Sequence, residues 1–313
     1  MEYLIWLQNM RGEWSDAEKF FTLFTDGSVA VAMVLISIIF WCGDKRTGKF
    51  LLLVYAFSRL LTVFLKNTFC VYRPFILDSN IHPVESAMKS AADSYSFPSG
   101  HTNMATATYG GMAYAYGKKF PPIAIFCAAI VLLVAFTRNL LGVHTLQDVL
   151  TAIISTALVI VLVGKLMTWL EVDTRRESFL TVFGMILALI AAAYFMLKSY
   201  PLDYINGKLI VNPAETIGDA MGTIGSFVGV LIGLEMERRF VNFKTNVNLS
   251  TKIFRVIIGV AIFLALNFLA VPLIKALPLG MATKFLRWFL MNFALTFLIP
   301  LIFVRAEKKL FLR

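Results

Sequence analysis

Long apolar stretches recur along nearly the whole chain, and few charges interrupt them. In hydrocarbon only a helix or a closed barrel satisfies its own backbone groups, and a helix needs about 20 residues to cross. Nine stretches meet that need: 27–43, 50–66, 101–117, 121–138, 148–169, 178–198, 216–234, 252–271 and 283–304. The first and third are short and are expected to extend into interfacial turns. Hydrophobic residues make up 58% of the 313 and charged residues 15%, against about 25% charged in a soluble domain. So little charge cannot cover so much apolar surface in water, and the same numbers exclude disorder. The expected fold is therefore all-α, a polytopic membrane helical bundle of about nine transmembrane helices.

Residues 3–24 mix Leu4, Trp6, Leu7, Phe20, Phe21 and Phe24 with acidic residues and Arg11. They read as an amphipathic helix on the membrane surface, with packing against the bundle as the alternative. Residues 1–26 thus form an interfacial segment. Glu2, Glu13, Asp16 and Glu18 make the beginning acidic, and no basic segment precedes a short apolar core, so no signal-peptide pattern is present. The expected location is a bacterial inner (plasma) membrane; an endomembrane protein of a eukaryote also fits the missing pattern. Cys42, Cys70 and Cys127 are scattered without ligand spacing, so neither a disulfide scaffold nor a zinc site is indicated.

The net charge of +10 would suggest nucleic acid in a soluble chain. In a membrane chain, Lys and Arg collect in cytoplasmic loops instead, and no nucleic-acid partner is expected. One alternation of loops collects 15 Lys and Arg on the side of 44–49, Lys118–Lys119, Arg175–Arg176, 235–252 and 305–313, and 11 on the other. The richer side is read as cytoplasmic, which puts the N-terminus outside and the C-terminus inside. Two long segments, 67–100 and 199–215, then lie outside.

Three segments hold polar residues that such a chain otherwise avoids: Lys66-x6-Arg73-Pro74, Pro98-Ser99-Gly100-His101 and Arg138-x5-His144-x3-Asp148. The loop sorting puts all three at one membrane face. Lys66, Arg73 and Arg138 converging there need an anion. Arginine forks match phosphate oxygens, and lysine adds a point charge. Ser99 and Gly100 precede a helix whose free N–H groups complete an anion hole. Two of the chain's three histidines supply a nucleophile and a proton donor. If a helix begins near His144, Asp148 shares its face and holds Nδ1–H, leaving Nε2 to attack phosphorus. His101 then protonates the leaving oxygen. Taken singly, a snorkelling arginine, a surface His–Asp pair or a Pro-Ser-Gly turn is commonplace. Their joint order and spacing fit one mechanism.

These motifs resemble the three-part signature of the type 2 phosphatidic acid phosphatase superfamily, which includes membrane lipid phosphatases, glucose-6-phosphatase and vanadium haloperoxidases. The third motif usually reads Ser-Arg; here it is Thr137-Arg138, which keeps the hydroxyl. The resemblance implies a phosphohistidine intermediate at His144, His101 as general acid, phosphate held by Lys66, Arg73, Ser99, Gly100 and Arg138, and neither metal nor cofactor. It also implies a six-helix core, here within 27–177, with the site facing outside in bacterial members. Residues 178–313 add further transmembrane helices. The expected substrate is a lipid phosphate or diphosphate: phosphatidic acid, phosphatidylglycerophosphate, a polyprenyl diphosphate or a sphingoid phosphate. A soluble sugar phosphate, and a transporter using the same cations only to bind, are the alternatives.

Other residues are less determined. Asp78, His82, Asp93 and Tyr95 either shape the entrance or belong to a solvated loop. Arg59 inside a span is costly and either pairs with a neighbouring helix or binds a headgroup. Glu215 and Asp219, at the outer end of the seventh span, either favour the helix dipole or serve packing and capping, the safer reading. Gly218, Gly222, Gly225, Gly229 and Gly233 fall at spacings of three and four, a face for close helix packing, with homodimerisation as the alternative.

Overall fold

The computed structural model describes residues 1–12, 17–91, 94–277 and 280–311. It is all-α apart from one short hairpin, β1 (Tyr204–Ile205) against β2 (Lys208–Leu209). The helices are α1 (Glu2–Gly12), α2 (Ala17–Cys42), α3 (Lys45–Phe69), α4 (Pro74–Leu77), α5 (Glu85–Ala91), α6 (Gly100–Ala105), α7 (Gly111–Tyr116), α8 (Pro121–Leu140), α9 (Leu146–Leu170), α10 (Arg175–Leu197), α11 (Pro213–Met236), α12 (Leu249–Ala265), α13 (Val271–Ala276), α14 (Met281–Phe293) and α15 (Ile299–Phe311). Among the described residues eight helical stretches are long and apolar enough to cross a membrane. The protein is an integral membrane protein.

Of the nine expected spans, the third, 101–117, differs from the others. It is α6, a π-helical turn at Thr106–Gly110, and α7. At 1.5 Å per residue the run is about 25 Å long, short of a bilayer's hydrocarbon. Thr102, Asn103, Thr106 and Thr108 on it are all buried in protein, and three of them find partners that lipid does not offer: Thr102 Oγ1 donates to Ser99 Oγ, Asn103 Nδ2 to Thr156 Oγ1 and Thr106 Oγ1 to the Thr102 carbonyl. The first span also begins earlier than the sequence suggests, at Glu18.

The chain divides into two compact units. The first comprises 1–34, 57–162 and 199–216. In it α1 packs inward: Leu4 and Leu7 bury against Ile81 and Leu140. Arg11 donates to the Leu140 and His82 carbonyls, at 2.9 and 2.7 Å, and pairs with Glu18 at 2.9 Å. Packing against the bundle, the alternative reading of this segment, describes α1. Val84, Ala87, Leu141 and Val143 form a further cluster beside it.

The second unit comprises 35–56, 163–198 and 217–313. Here α11 lies against α14 along the glycine face. A Cβ on Gly229 would stand 2.6 Å from the Phe289 carbonyl oxygen, and one on Gly225 would overlap the Phe285 carbonyl. The face is filled by α14 of the same chain, so it is no dimer seam. Asp219 is not a bare cap either; it pairs with Lys284 at 2.8 Å.

Candidate active site

All eight singled-out site residues belong to the first unit. The turn from α8 to α9 places the third motif. Gly142 takes a left-handed φ of +72°, and a Cβ there would press on Pro83 at 3.2 Å. Glycine alone meets both demands cheaply. Asn139 Nδ2 donates to the His144 and Thr145 carbonyls, both at 3.1 Å, and fixes the chain after the turn.

Helix α9 begins at Leu146, so His144 lies outside it. A shared helical face therefore does not bring His144 and Asp148 together. A capping exchange does: Asp148 Oδ2 accepts from Thr145 N–H at 2.7 Å, and Asp148 N–H donates to Thr145 Oγ1 at 3.3 Å. The direct His144 Nδ1–Asp148 Oδ2 separation is 3.4 Å, long for a hydrogen bond. Ser96 bridges it. Its hydroxyl donates to Asp148 Oδ2 at 2.6 Å and lies 3.2 Å from His144 Nδ1. The sequence reading passed over Ser96; its only signal was a place two residues before the Pro-Ser-Gly turn.

Arg73 stands on the other side of the ring. Its Nη1 is 2.8 Å from His144 Nε2 and 3.0 Å from the Val143 carbonyl. Nε and Nη2 donate to the Ser94 carbonyl and hydroxyl at 3.0 and 2.9 Å. An arginine donates and cannot accept, so this contact suits an unprotonated Nε2, with the ring proton on Nδ1 toward Ser96. His144 is buried. Burial first, then the charges of Arg73, Arg138 and Lys66, hold its pKa well below the usual histidine range. Its neutral form is the one with a nucleophilic lone pair.

Lys66 donates to the Tyr95 and Ser96 carbonyls at 2.6 and 3.2 Å, so it holds the loop that carries Ser96. Ser99 is the N-cap of α6, and its hydroxyl accepts from Thr102 N–H and Thr102 Oγ1 at 3.4 and 3.0 Å. Its own N–H donates to the Asp148 carbonyl at 3.1 Å, tying the second motif to the third. Arg59 reaches this spot too, its Nη1 3.5 Å from where a Gly100 Cβ would be. No carboxylate among the described residues pairs with Arg59. His101 Nε2 lies 3.0 Å from Asp26 Oδ1, a residue of α2 absent from the motifs.

Arg138 differs from Arg73. It is 1% exposed, and its Nε and Nη1 have no hydrogen-bond partner. Its charge nonetheless acts on both His144 and His101. A buried guanidinium with unused donors is costly, and an anion carrying several acceptor oxygens satisfies it. Among the described residues, no three His, Cys, Asp or Glu side chains gather as a metal site requires.

Around this centre, Asp78 turns back on Asn80 N–H at 3.0 Å. His82 is engaged through its backbone, its carbonyl by Arg11 and its N–H by Gln8 Oε1 at 2.6 Å. Tyr95 is fully buried, so it is no solvated loop residue. Asp93 lies outside the described residues.

Two family models match the chain. One, the PAP2 superfamily, covers residues 47–172 and so every residue of the three motifs. The other, the PAP2 superfamily phosphatase transmembrane extension, covers residues 221–310. No curated protein and no solved structure matches.

Proposed function

From the premise that the chain is a membrane phosphatase belonging to the PAP2 superfamily, we propose that it hydrolyses a lipid phosphate or diphosphate through a phosphohistidine at His144. The observation that carries this is the buried Arg138 guanidinium with unpartnered Nε and Nη1, close enough for its charge to bear on a neutral His144. In the first step the Nε2 lone pair forms a bond to phosphorus. The bond from phosphorus to the leaving oxygen breaks, and His101 gives that oxygen its proton. Arg73 exchanges its contact with Nε2 for one to a phosphoryl oxygen. Arg73, Arg138 and Lys66 stabilise the charge on the transferring group. Ser96 and Asp148 hold Nδ1–H through the step. Water then attacks phosphorus, passes a proton to His101, and the electron pair returns to Nε2.

A lipid is favoured over a soluble ester because apolar side chains flank the motif segment: Phe64, Phe69, Val71 and Leu77 are all exposed there. A tail lodged beside them keeps its phosphate at the cations. Loop charge supports a site on the outer face of a bacterial plasma membrane, with the N-terminus outside and the C-terminus inside. The span of the first match supports a catalytic core within 27–177, with the helices of 178–313 added to it.

The test is phosphate release by detergent-purified protein from phosphatidic acid, phosphatidylglycerophosphate, undecaprenyl diphosphate, sphingosine 1-phosphate and glucose 6-phosphate. Release from a lipid, lost in His144→Ala and indifferent to chelator, is expected. Release from glucose 6-phosphate alone would replace the lipid reading. Full activity in His144→Ala would remove the nucleophile.

A further inference from the structure

Asp26 is an acid inside an apolar stretch. The span that begins at Glu18 carries no other carboxylate after it up to Cys42. Its side chain is half exposed, so its place is read from what it contacts rather than from the cost of burying a charge. What holds it is His101, at 3.0 Å through Nε2. The remaining charges around His101 are of the other sign. Arg138 on α8 and Arg73 at the head of α4 both act on it, Arg59 of α3 reaches the neighbouring Gly100, and His144 becomes cationic once phosphorylated. Asp148 is already committed to Ser96 and Thr145. Among the described residues Asp26 is the carboxylate that bonds to His101.

A general acid must carry its proton when the leaving bond breaks. Burial first, then the charges of Arg138 and Arg73, would make an imidazole here shed that proton without Asp26. We propose that Asp26 is the positioning residue of the general acid, holding His101 by Nε2–H so that Nδ1 is the nitrogen that works on substrate. The pair then does for the acid what Ser96 and Asp148 do for the nucleophile, and α2 becomes part of the catalytic apparatus. In the forward step the Nδ1 proton moves to the leaving oxygen as the oxygen–phosphorus bond breaks, while Nε2–H stays with Asp26. In the second step water returns a proton to Nδ1. No proton is left on the carboxylate. This inference rests on the reading of His101 as the acid.

The experiment separates the two ideas through the leaving group. An alkyl phosphate such as short-chain phosphatidic acid has a basic leaving oxygen that needs protonation. An aryl phosphate such as p-nitrophenyl phosphate has a leaving oxygen stable as an anion. In wild type, Asp26→Asn, Asp26→Glu, His101→Ala and the Asp26→Asn/His101→Ala double variant, kcat/KM is measured on both esters; it reports the first phosphoryl transfer. Asp26→Asn is expected to lower kcat/KM on the alkyl ester by about 10–100-fold and on the aryl ester by a small factor. Asp26→Glu should recover part of the loss, and the double variant should be no worse than His101→Ala alone. Equal losses on both esters in Asp26→Asn, or additive losses in the double variant, would overturn the role of Asp26. If His101→Ala itself treats the two esters alike, His101 is not the acid, and the proposal falls with that reading instead.

Discussion

Two arginines, one in each compact unit, are buried to the same 1% exposure, yet they are handled in opposite ways. In the second unit Arg255 uses its whole fork. Nε and Nη2 meet Glu307 at 2.6 and 2.9 Å, and Nη1 donates to the Trp41 and Lys244 carbonyls at 2.9 and 2.8 Å. The Phe303 ring lies 4.6 Å from its guanidinium carbon. In the first unit Arg138 has two nitrogens without a partner. Burial of charge is thus compatible with two purposes. Where the protein supplies every acceptor, the charge holds the structure together. Where it withholds them, as at Arg138, the charge is left available, and the proposed use is a phosphate ligand.

The comparison is broken most decisively by truncating both arginines. Arg138→Ala is expected to lower kcat/KM by about 10³-fold or more without loss of stability, since the charge removed had no protein partner at two of its nitrogens. Arg255→Ala should do the reverse, costing about 3–5 kcal/mol by leaving Glu307 unpaired while turnover per folded molecule stays near wild type. Thermal unfolding and phosphate release on the same preparations read both. The milder Arg138→Lys keeps the charge and loses the fork, and about 10²-fold lower kcat/KM is expected. Inorganic phosphate should raise the unfolding temperature of wild type and of any Arg255 variant that folds, but not of Arg138→Ala; at a hundred times Kd the shift corresponds to about 2.7 kcal/mol. Ser96→Ala should cost about tenfold in kcat with little change in KM, the smallest effect, since Asp148 remains.

The lowered pKa of His144 gives a sign that titration can check. The unfolded chain binds this proton near pH 6.5, whereas burial and the neighbouring cations keep the folded ring neutral further down. The contribution of His144 to stability is therefore intact above about pH 6.5 and declines as pH falls below it. As the proposed nucleophile, His144 also stays available there, so the acid limb of kcat/KM should lie below pH 6.5, the ordinary histidine value. A limb above that value would mean that His144 is not held neutral.

The class of fold was legible because hydropathy over 20 residues is a property of composition. Its departures have local causes. The run at 100–116 is buried by protein rather than lipid, and polar threonines and Asn103 on it could not have shown that from spacing alone. The motif residues were legible as chemistry: charged and imidazole groups in an apolar chain stand out. Their geometry was not. The His144–Asp148 spacing suggested a helical face, whereas a capping exchange and the Ser96 hydroxyl make the connection. A serine in a loop has no pattern to mark it. Asp26 did carry a signal, an acid in an apolar stretch, but nothing in its neighbours pointed to His101, some 75 residues away. The glycine face showed the need for a close partner without saying that α14 is that partner.

The most direct test of the account is whether His144 carries phosphate during turnover. His101→Ala protein, in which release of the intermediate is slowed, would be mixed with a lipid phosphate or p-nitrophenyl phosphate and quenched in base, which preserves phosphohistidine. Peptides would then be analysed by mass spectrometry. The account predicts a single phosphoryl group on the peptide containing His144, absent from His144→Ala and greatly reduced in Arg138→Ala. Active protein whose phosphoryl group is found on another residue, or hydrolysis undiminished in His144→Ala, would contradict it.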